Sequence, residues 1–163
     1  MKLNITLLTV ALGLSLIAQG SAADVPMMAE TQAPAKAKVA SLYDRLGGEK
    51  ALRAVVDDFV AAAAPDPRVD FTRGGKWHAS DAAMKTLKDH LVNMLGGAFG
   101  GPQKYTGRTM KATHQGMGIT SAQFSAIAGH LKATLEKHKV GKVEIDEVMA
   151  VAASTAGDII EKK

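Results

Sequence analysis

The chain has 163 residues, of which 47% are hydrophobic and 4% aromatic, with no cysteine and a formal net charge of +4 at pH 7. That length suits one domain with a real core rather than two, and abundant Ala with scarce aromatics favours closely packed helices over a β-sandwich. The missing cysteines exclude disulfide frameworks and thiolate metal centres, and the scattered lysines exclude a nucleic-acid-binding stripe.

Met1-Lys2 precedes an uncharged, mostly apolar run from Ile5 to Ala18. At roughly 14 residues the run is short for a membrane span. Gly20-Ser21-Ala22-Ala23 offers small residues for cleavage after Ala22 or Ala23, so residues 1–23 read as a secretory signal peptide. The expected mature protein is exported, most simply to a periplasm, without stable membrane insertion; the alternative is an uncleaved anchor. No Cys follows the cleavage site, which excludes a lipoprotein. Cleavage removes one charge, Lys2, and takes 20 Lys+Arg to 19 against 16 Asp+Glu. Asp24 to Ala40 is rich in Ala, Pro and Lys with no period and reads as a flexible linker.

The folded domain is expected over residues 41–163. Ser41 and Asp44 have capping spacing, and Gly47-Gly48 ends a first short helix. A second helix is expected from Glu49 to Ala64, with Leu52, Val55, Val56, Phe59 and Ala63 as its buried stripe, stopped by Pro65-Asp66-Pro67. Arg68 to Ser80 is a connector in which Val69, Phe71 and Trp77 pack inward and His78 is a solvated loop residue. Ser80 caps a helix from Asp81 to about Gly96 with the stripe Met84, Leu87, Leu91, Met94 and Leu95. His90 falls about 40° from Met94 and about 60° from Leu87 around that helix. It borders the apolar face, and either aims into a pocket or swings to solvent. Gly96-Gly97 and Gly100-Gly101-Pro102 form a corner where helices can meet closely, without the strand and the Lys-Ser/Thr that a phosphate loop requires.

Tyr105 to Thr120 reads YTGRTMKATHQGMGIT. Met110 and His114 share one helical face, Gly116 and Gly118 stop the helix, and Thr120 with Gln123 has the spacing of a capping box for the next one. His114 therefore lies in the last turn of a short helix with apolar neighbours Met110, Met117 and Ile119. A His so placed either packs with its nitrogen on a carbonyl or presents a neutral imidazole as an axial ligand to haem iron. Two helices follow, Ser121 to about His138 and Glu144 to Ile160. His130 and His138 lack the i, i+4 partner of a helical zinc pair.

GGPQKYTGRTMKATHQGMGIT, from Gly100 to Thr120, together with SLYDRLGG, from Ser41 to Gly48, resembles the truncated (two-over-two) haemoglobins of group I. The resemblance covers about Ser41 to Ile160. It implies an all-α truncated-globin sandwich around haem b, held without thioether bonds because no Cys is present, with His114 as the proximal iron ligand. His90 falls where some members carry a distal His able to bind the sixth position. The implied distal wall is Phe59, Val60, Leu87, Leu91 and Met94, and Lys104, Arg108 and Lys111 are the candidate partners of the haem propionates. Tyr105, Met110, Met117 and Ile119 complete the cofactor-binding set. Many members carry Tyr and Gln where this chain has Val60 and Leu91, which donate no hydrogen bond to bound O2. Some members also link a haem vinyl to a His in the last helix, where residues 153–157 contain none. The implied ligands are O2, CO and NO. The alternatives are a bis-histidyl electron-transfer protein or an enzyme that detoxifies NO or peroxide, with a reductase as partner.

Overall fold

The computed structural model describes residues 39–162, so the expected signal peptide and all but the end of the expected linker lie outside it. Seven helices account for the described chain: α1 (Leu42–Arg45), α2 (Gly48–Ala63), α3 (Asp81–Ala98), α4 (Met110–His114), α5 (Ser121–Lys137), α6 (Lys142–Ser154) and α7 (Ala156–Ile159). α2 packs on α3 and α5 on α6, and α2 also meets α5, which joins the two pairs. The fold is all-α. Among the described residues the only β-type pairing is an isolated bridge between Thr120 and Lys162.

Local chemistry sets most helix starts. Ser41 and Asp44 form a capping box on α1, Ser80 Oγ accepts from the Ala83 N–H at the start of α3, and Thr120 with Gln123 forms a second capping box on α5. Several ends differ from expectation, three of them for a visible local reason. α2 starts one residue early, at Gly48, because Gly47 takes a left-handed φ of 95° and turns the chain straight from α1 into α2. α3 runs through the Gly96-Gly97 pair to Ala98. A Cβ on Gly97 would come 2.9 Å from the Gln103 carbonyl oxygen, so these glycines allow the next segment to fold back against the helix. The expected last helix is broken at Thr155 into α6 and α7. Thr155 Oγ1 donates to the Ala152 carbonyl and the Thr155 N–H to the same oxygen, a side-chain competition that ends α6 without Gly or Pro.

The core consists of Leu52, Val55, Val56, Val60, Val92, Phe99, Leu135, Ile145 and Val148. This corrects two expectations. Phe59 is only half-buried and packs on the rim of the core, while its neighbour Val60 is fully enclosed. On α3 the most buried residue is Val92, outside the expected stripe. Val92, Leu95, Gly96 and Phe99 follow at i, i+3, i+4 and i+7, so they form one face of the helix and point it at α2. Leu87 and Met94 make a second apolar strip that stays only partly buried, while Leu91 lies between the two and packs on the rim of the core. α3 is apolar on two faces, of which only one is closed by the protein's own core.

Ion pairs fix the helices against each other. Arg45 on α1 pairs with Glu144 at 2.8 Å and with Glu147, both on α6. Arg53 on α2 reaches Asp89 on α3 at 2.8 Å, and Lys88 on α3 reaches Asp57 on α2 at 2.9 Å. Asp58 on α2 accepts from Lys137 at 2.9 Å and is 2.8 Å from His138 Nε2, at the end of α5.

Val92→Ala is expected to cost about 2 kcal/mol in urea unfolding of the purified protein, as for a buried aliphatic cut back without room to collapse. Leu87→Ala, outside the core cluster, is expected to cost clearly less; equal losses would show that α3 has one buried face and not two. Lys85 first and then Arg53 hold the Asp89 carboxyl at about 2, below its ordinary 3.8. Because the folded state depresses this pKa, the contribution is complete above about pH 4 and is lost as pH falls through about 2. Asp89→Asn should therefore flatten the acid end of the stability–pH curve in that window, and a slope equal to that of the wild type would contradict it.

Candidate functional site

α4 is only five residues long, and His114 is its last. Thr109 Oγ1 accepts from the Ala112 N–H at 3.2 Å to cap its start. The side chain of His114 turns back along the helix, with Nδ1 2.8 Å from the Met110 carbonyl oxygen. A carbonyl can only accept, so Nδ1 carries the proton and donates. In the neutral ring, Nε2 is then the nitrogen with the free lone pair. This satisfies one of the two readings of His114 and leaves the other open: one nitrogen is on a carbonyl, as in a packed His, and the second is free to bind a metal. The ring is half-buried.

Past His114 the chain turns through Gly116 and Gly118, at φ of 81° and 63°. Their N–H groups donate to the two oxygens of Glu161 at 2.6 and 2.5 Å. These N–H bonds hold the Glu161 carboxyl below the usual carboxylate range. Met117, expected beside His114, is 39% exposed at the outer edge of this turn, whereas Ile119 is buried. Met110 is half-buried.

His90 is exposed on α3, not tucked at the border of its apolar face. Its ring meets that of Tyr105 edge-on, with centroids 5.8 Å apart. Together with Thr106, Gly107, Arg108 and Thr113, these two residues line a cavity of about 390 Å³, so α3 and α4 face each other across it. The expected wall residues Leu87, Leu91 and Met94 lie on the same helix as His90; Leu91 packs on the core, while Leu87 and Met94, like Phe124 and Ile127 on α5, are only partly buried. Among the described residues no three His, Cys, Asp or Glu side chains gather where they could hold one ion. A single His therefore suits a metal whose remaining ligands come from a cofactor.

Lys104, Arg108 and Lys111 are exposed and make no ion pair among the described residues. No Asp or Glu occurs in the whole stretch 90–135, so nothing nearby in sequence neutralises them. That gap was readable from the sequence as a run without carboxylates.

A second cavity, of about 470 Å³, lies between the 70–77 connector and the turn after His114, lined by Asp70, Arg73, Gly74, Lys76, Trp77, Gly116 and Met117. Arg73 holds it together. Its guanidinium donates to the Val69 carbonyl at 2.6 Å, to the Asp70 carbonyl at 2.8 Å and to Gln123 Oε1 at 3.4 Å. The expected inward packing of this connector is present, with Val69 buried and Phe71 meeting Trp77 at 5.7 Å between ring centroids, and His78 is exposed as expected.

A family model for bacterial-like globins matches residues 41–161. The chain belongs to this globin family. Its relatives set it among the group 1 truncated hemoglobins. It is 38% identical over 125 residues to one from Mycolicibacterium paratuberculosis, covering 76% of this chain and 87% of that protein. Among solved structures, the truncated hemoglobin of Tetrahymena pyriformis in its Fe(III) form superposes with a TM-score of 0.67 at 31% identity, over 76% of this chain and all of that one. A 2/2 hemoglobin from a Synechococcus species, in the cyanomet state and with covalently attached heme, superposes with a TM-score of 0.65 at 32% identity, over the same share of this chain and all of that one. The residues of this globin fit a haem: a free imidazole nitrogen on α4, half-exposed apolar side chains on α3 and α5, and unpaired cations beside them.

Arg73→Ala should cost about 1.5–3 kcal/mol, because it deletes charged donors from two carbonyls of a part-buried turn. Arg73→Lys should not restore the loss, since one ammonium cannot span the fork of acceptors. Urea unfolding of both variants checks this, and a fully stable Lys variant would sink it.

Proposed function

We propose that this globin holds one haem b on His114 Nε2 and binds diatomic ligands, O2 with CO and NO, on the opposite side. The observation that carries the reading is the 2.8 Å bond from His114 Nδ1 to the Met110 carbonyl, which fixes the tautomer needed for a neutral proximal ligand. Bound haem supplies the iron at which a diatomic ligand is taken up reversibly. Apolar Phe59, Val60, Leu87, Leu91 and Met94 keep the distal side free of bulk water, and Met110, Ile119 and Met117 bound the proximal turn. Arg108, Lys104 and Lys111 are the charges available to the propionates, with Tyr105 beside them. Attachment is non-covalent in this reading, because no Cys is present and residues 153–157 contain no His.

Val60 and Leu91 offer no donor to a bound ligand. Any polar stabilisation falls to His90, which lines the cavity between α3 and α4 together with Tyr105. Such a His donates to bound O2 or occupies the sixth position itself. If it occupies the position, the apparent affinity for added ligands falls with the open fraction. The second reading is bis-histidyl electron transfer. It is favoured by His90, the one His on the helix that faces α4 across the cavity, since two imidazole ligands suit electron transfer. A distal side without donors argues against fast NO dioxygenation. We further propose that residues 1–23 direct export to the periplasm.

Titration of haemin into wild-type protein is expected to saturate at one equivalent with a sharp Soret band, and His114→Ala to abolish that band. An alanine variant that binds stoichiometrically with an unchanged spectrum would refute the assignment of His114. In His90→Ala, CO should bind faster and the ferric spectrum should turn high-spin. Identical CO rates in the two proteins would take His90 out of the sixth position.

A further inference from the structure

We propose that Glu161, 47 positions further along the chain from His114, is the positioning residue of the proximal side: its carboxylate clamps the turn that leaves α4 and so sets how the His114 imidazole is presented. The inference rests on the reading of His114 as haem ligand.

A helix of five residues cannot hold itself in place, because nucleating a single turn costs more than its few hydrogen bonds return. α4 has a side-chain cap at its start, but at its end Gln115 already leaves helical geometry, with ψ of 130°. The chain beyond Gln115 must be anchored from elsewhere. The anchor is bidentate: Glu161 Oε1 accepts from Gly116 N–H at 2.6 Å and Oε2 from Gly118 N–H at 2.5 Å, one on each side of Met117. Charge-assisted bonds to backbone N–H groups are about twice as strong as neutral ones. Both glycines take left-handed φ, which turns their N–H groups toward one point. The Met117 N–H also donates to the His114 carbonyl at 3.1 Å, so the clamped turn is tied directly to the ligand residue.

The backbone around Glu161 repeats the attachment. The N–H groups of Glu161 and Lys162 both donate to the Ile119 carbonyl, at 2.9 and 3.1 Å, and the Lys162 carbonyl accepts from the Ser121 N–H at 3.1 Å. α7, just before Glu161, packs on α4. The segment from α7 to Lys162 thus braces α4 along its side and the turn after it at both ends. A carboxylate is the side chain this place requires, since it alone accepts at two oxygens while donating nothing. Gln keeps the shape but aims a donor at a backbone N–H.

The test compares wild-type protein, Glu161→Gln and Glu161→Asp. Amide hydrogen exchange on each protein as purified reads the clamp, and the rate of haem transfer to apomyoglobin and the iron–imidazole stretching band in the ferrous Raman spectrum read its effect on His114. Expected for Glu161→Gln are faster exchange at Gly116 and Gly118 with unchanged exchange at Val60 and Val92, haem loss faster by about tenfold to a hundredfold, and a displaced or broadened band. Glu161→Asp, which keeps the charge, should fall between wild type and Gln in all three. Faster exchange at the glycines with unaltered haem loss and an unmoved band would reduce Glu161 to a structural contact and overturn the proposal. Unchanged exchange would remove the clamp itself. A wild-type protein that takes up no haem would instead bring down the reading of His114, whatever the exchange data show.

Discussion

The bond from His114 Nδ1 to the Met110 carbonyl is the interaction on which the site depends. It exists only because the two residues are four apart on a helix, and that helix has just enough residues to place them so. An acceptor-only partner leaves one tautomer, and that tautomer leaves one nitrogen free. The rest of the site arrangement serves to keep a five-residue helix where it is: Thr109 caps its start, α7 flanks it, and Glu161 and the Ile119 carbonyl hold the chain that leaves it.

The second constraint is the division of labour on α3. Its Val92 face completes the core with α2, while its Leu87 face remains apolar and half-exposed. A protein that closed both faces on itself would be more stable and would have no room for a flat apolar cofactor. The ion pairs between α2 and α3, Arg53 with Asp89 and Lys88 with Asp57, lie where they keep the two helices together without filling that space. His90 on the same helix is exposed and meets Tyr105 edge-on.

Much of this was legible in the sequence wherever the cause is local. The capping pairs Ser41/Asp44 and Thr120/Gln123, the Ser80 cap, and the glycines after His114 each act within a few residues, and each stands where the pattern puts it. Val92 was not legible, because a helix with two apolar faces looks like one broad stripe until a neighbour selects between them. Nor were Arg73 and Glu161. Their partners lie 50 and 45 positions away in the chain, beyond any local pattern. The break at Thr155 carries no Gly or Pro, and its cause is a hydroxyl bonding back to its own helix. The short helix that ends at His114 and the glycine turn after it were readable in a contiguous stretch; the His90–Tyr105 contact was not, since no spacing encodes it.

In the proposed reading, Val60 and Leu91 offer no donor on the ligand side, and His90 is the polar side chain that could reach it. The two readings of function differ only in how often that His moves in. Both require the iron to sit on His114. The most direct test is anomalous scattering at the iron edge from crystals of the haem-loaded protein. The account predicts one iron peak within bonding distance of His114 Nε2, with Nδ1 still on the Met110 carbonyl. An iron bonded to any other residue on its proximal side, or a His114 ring turned so that Nδ1 faces the metal, would contradict it.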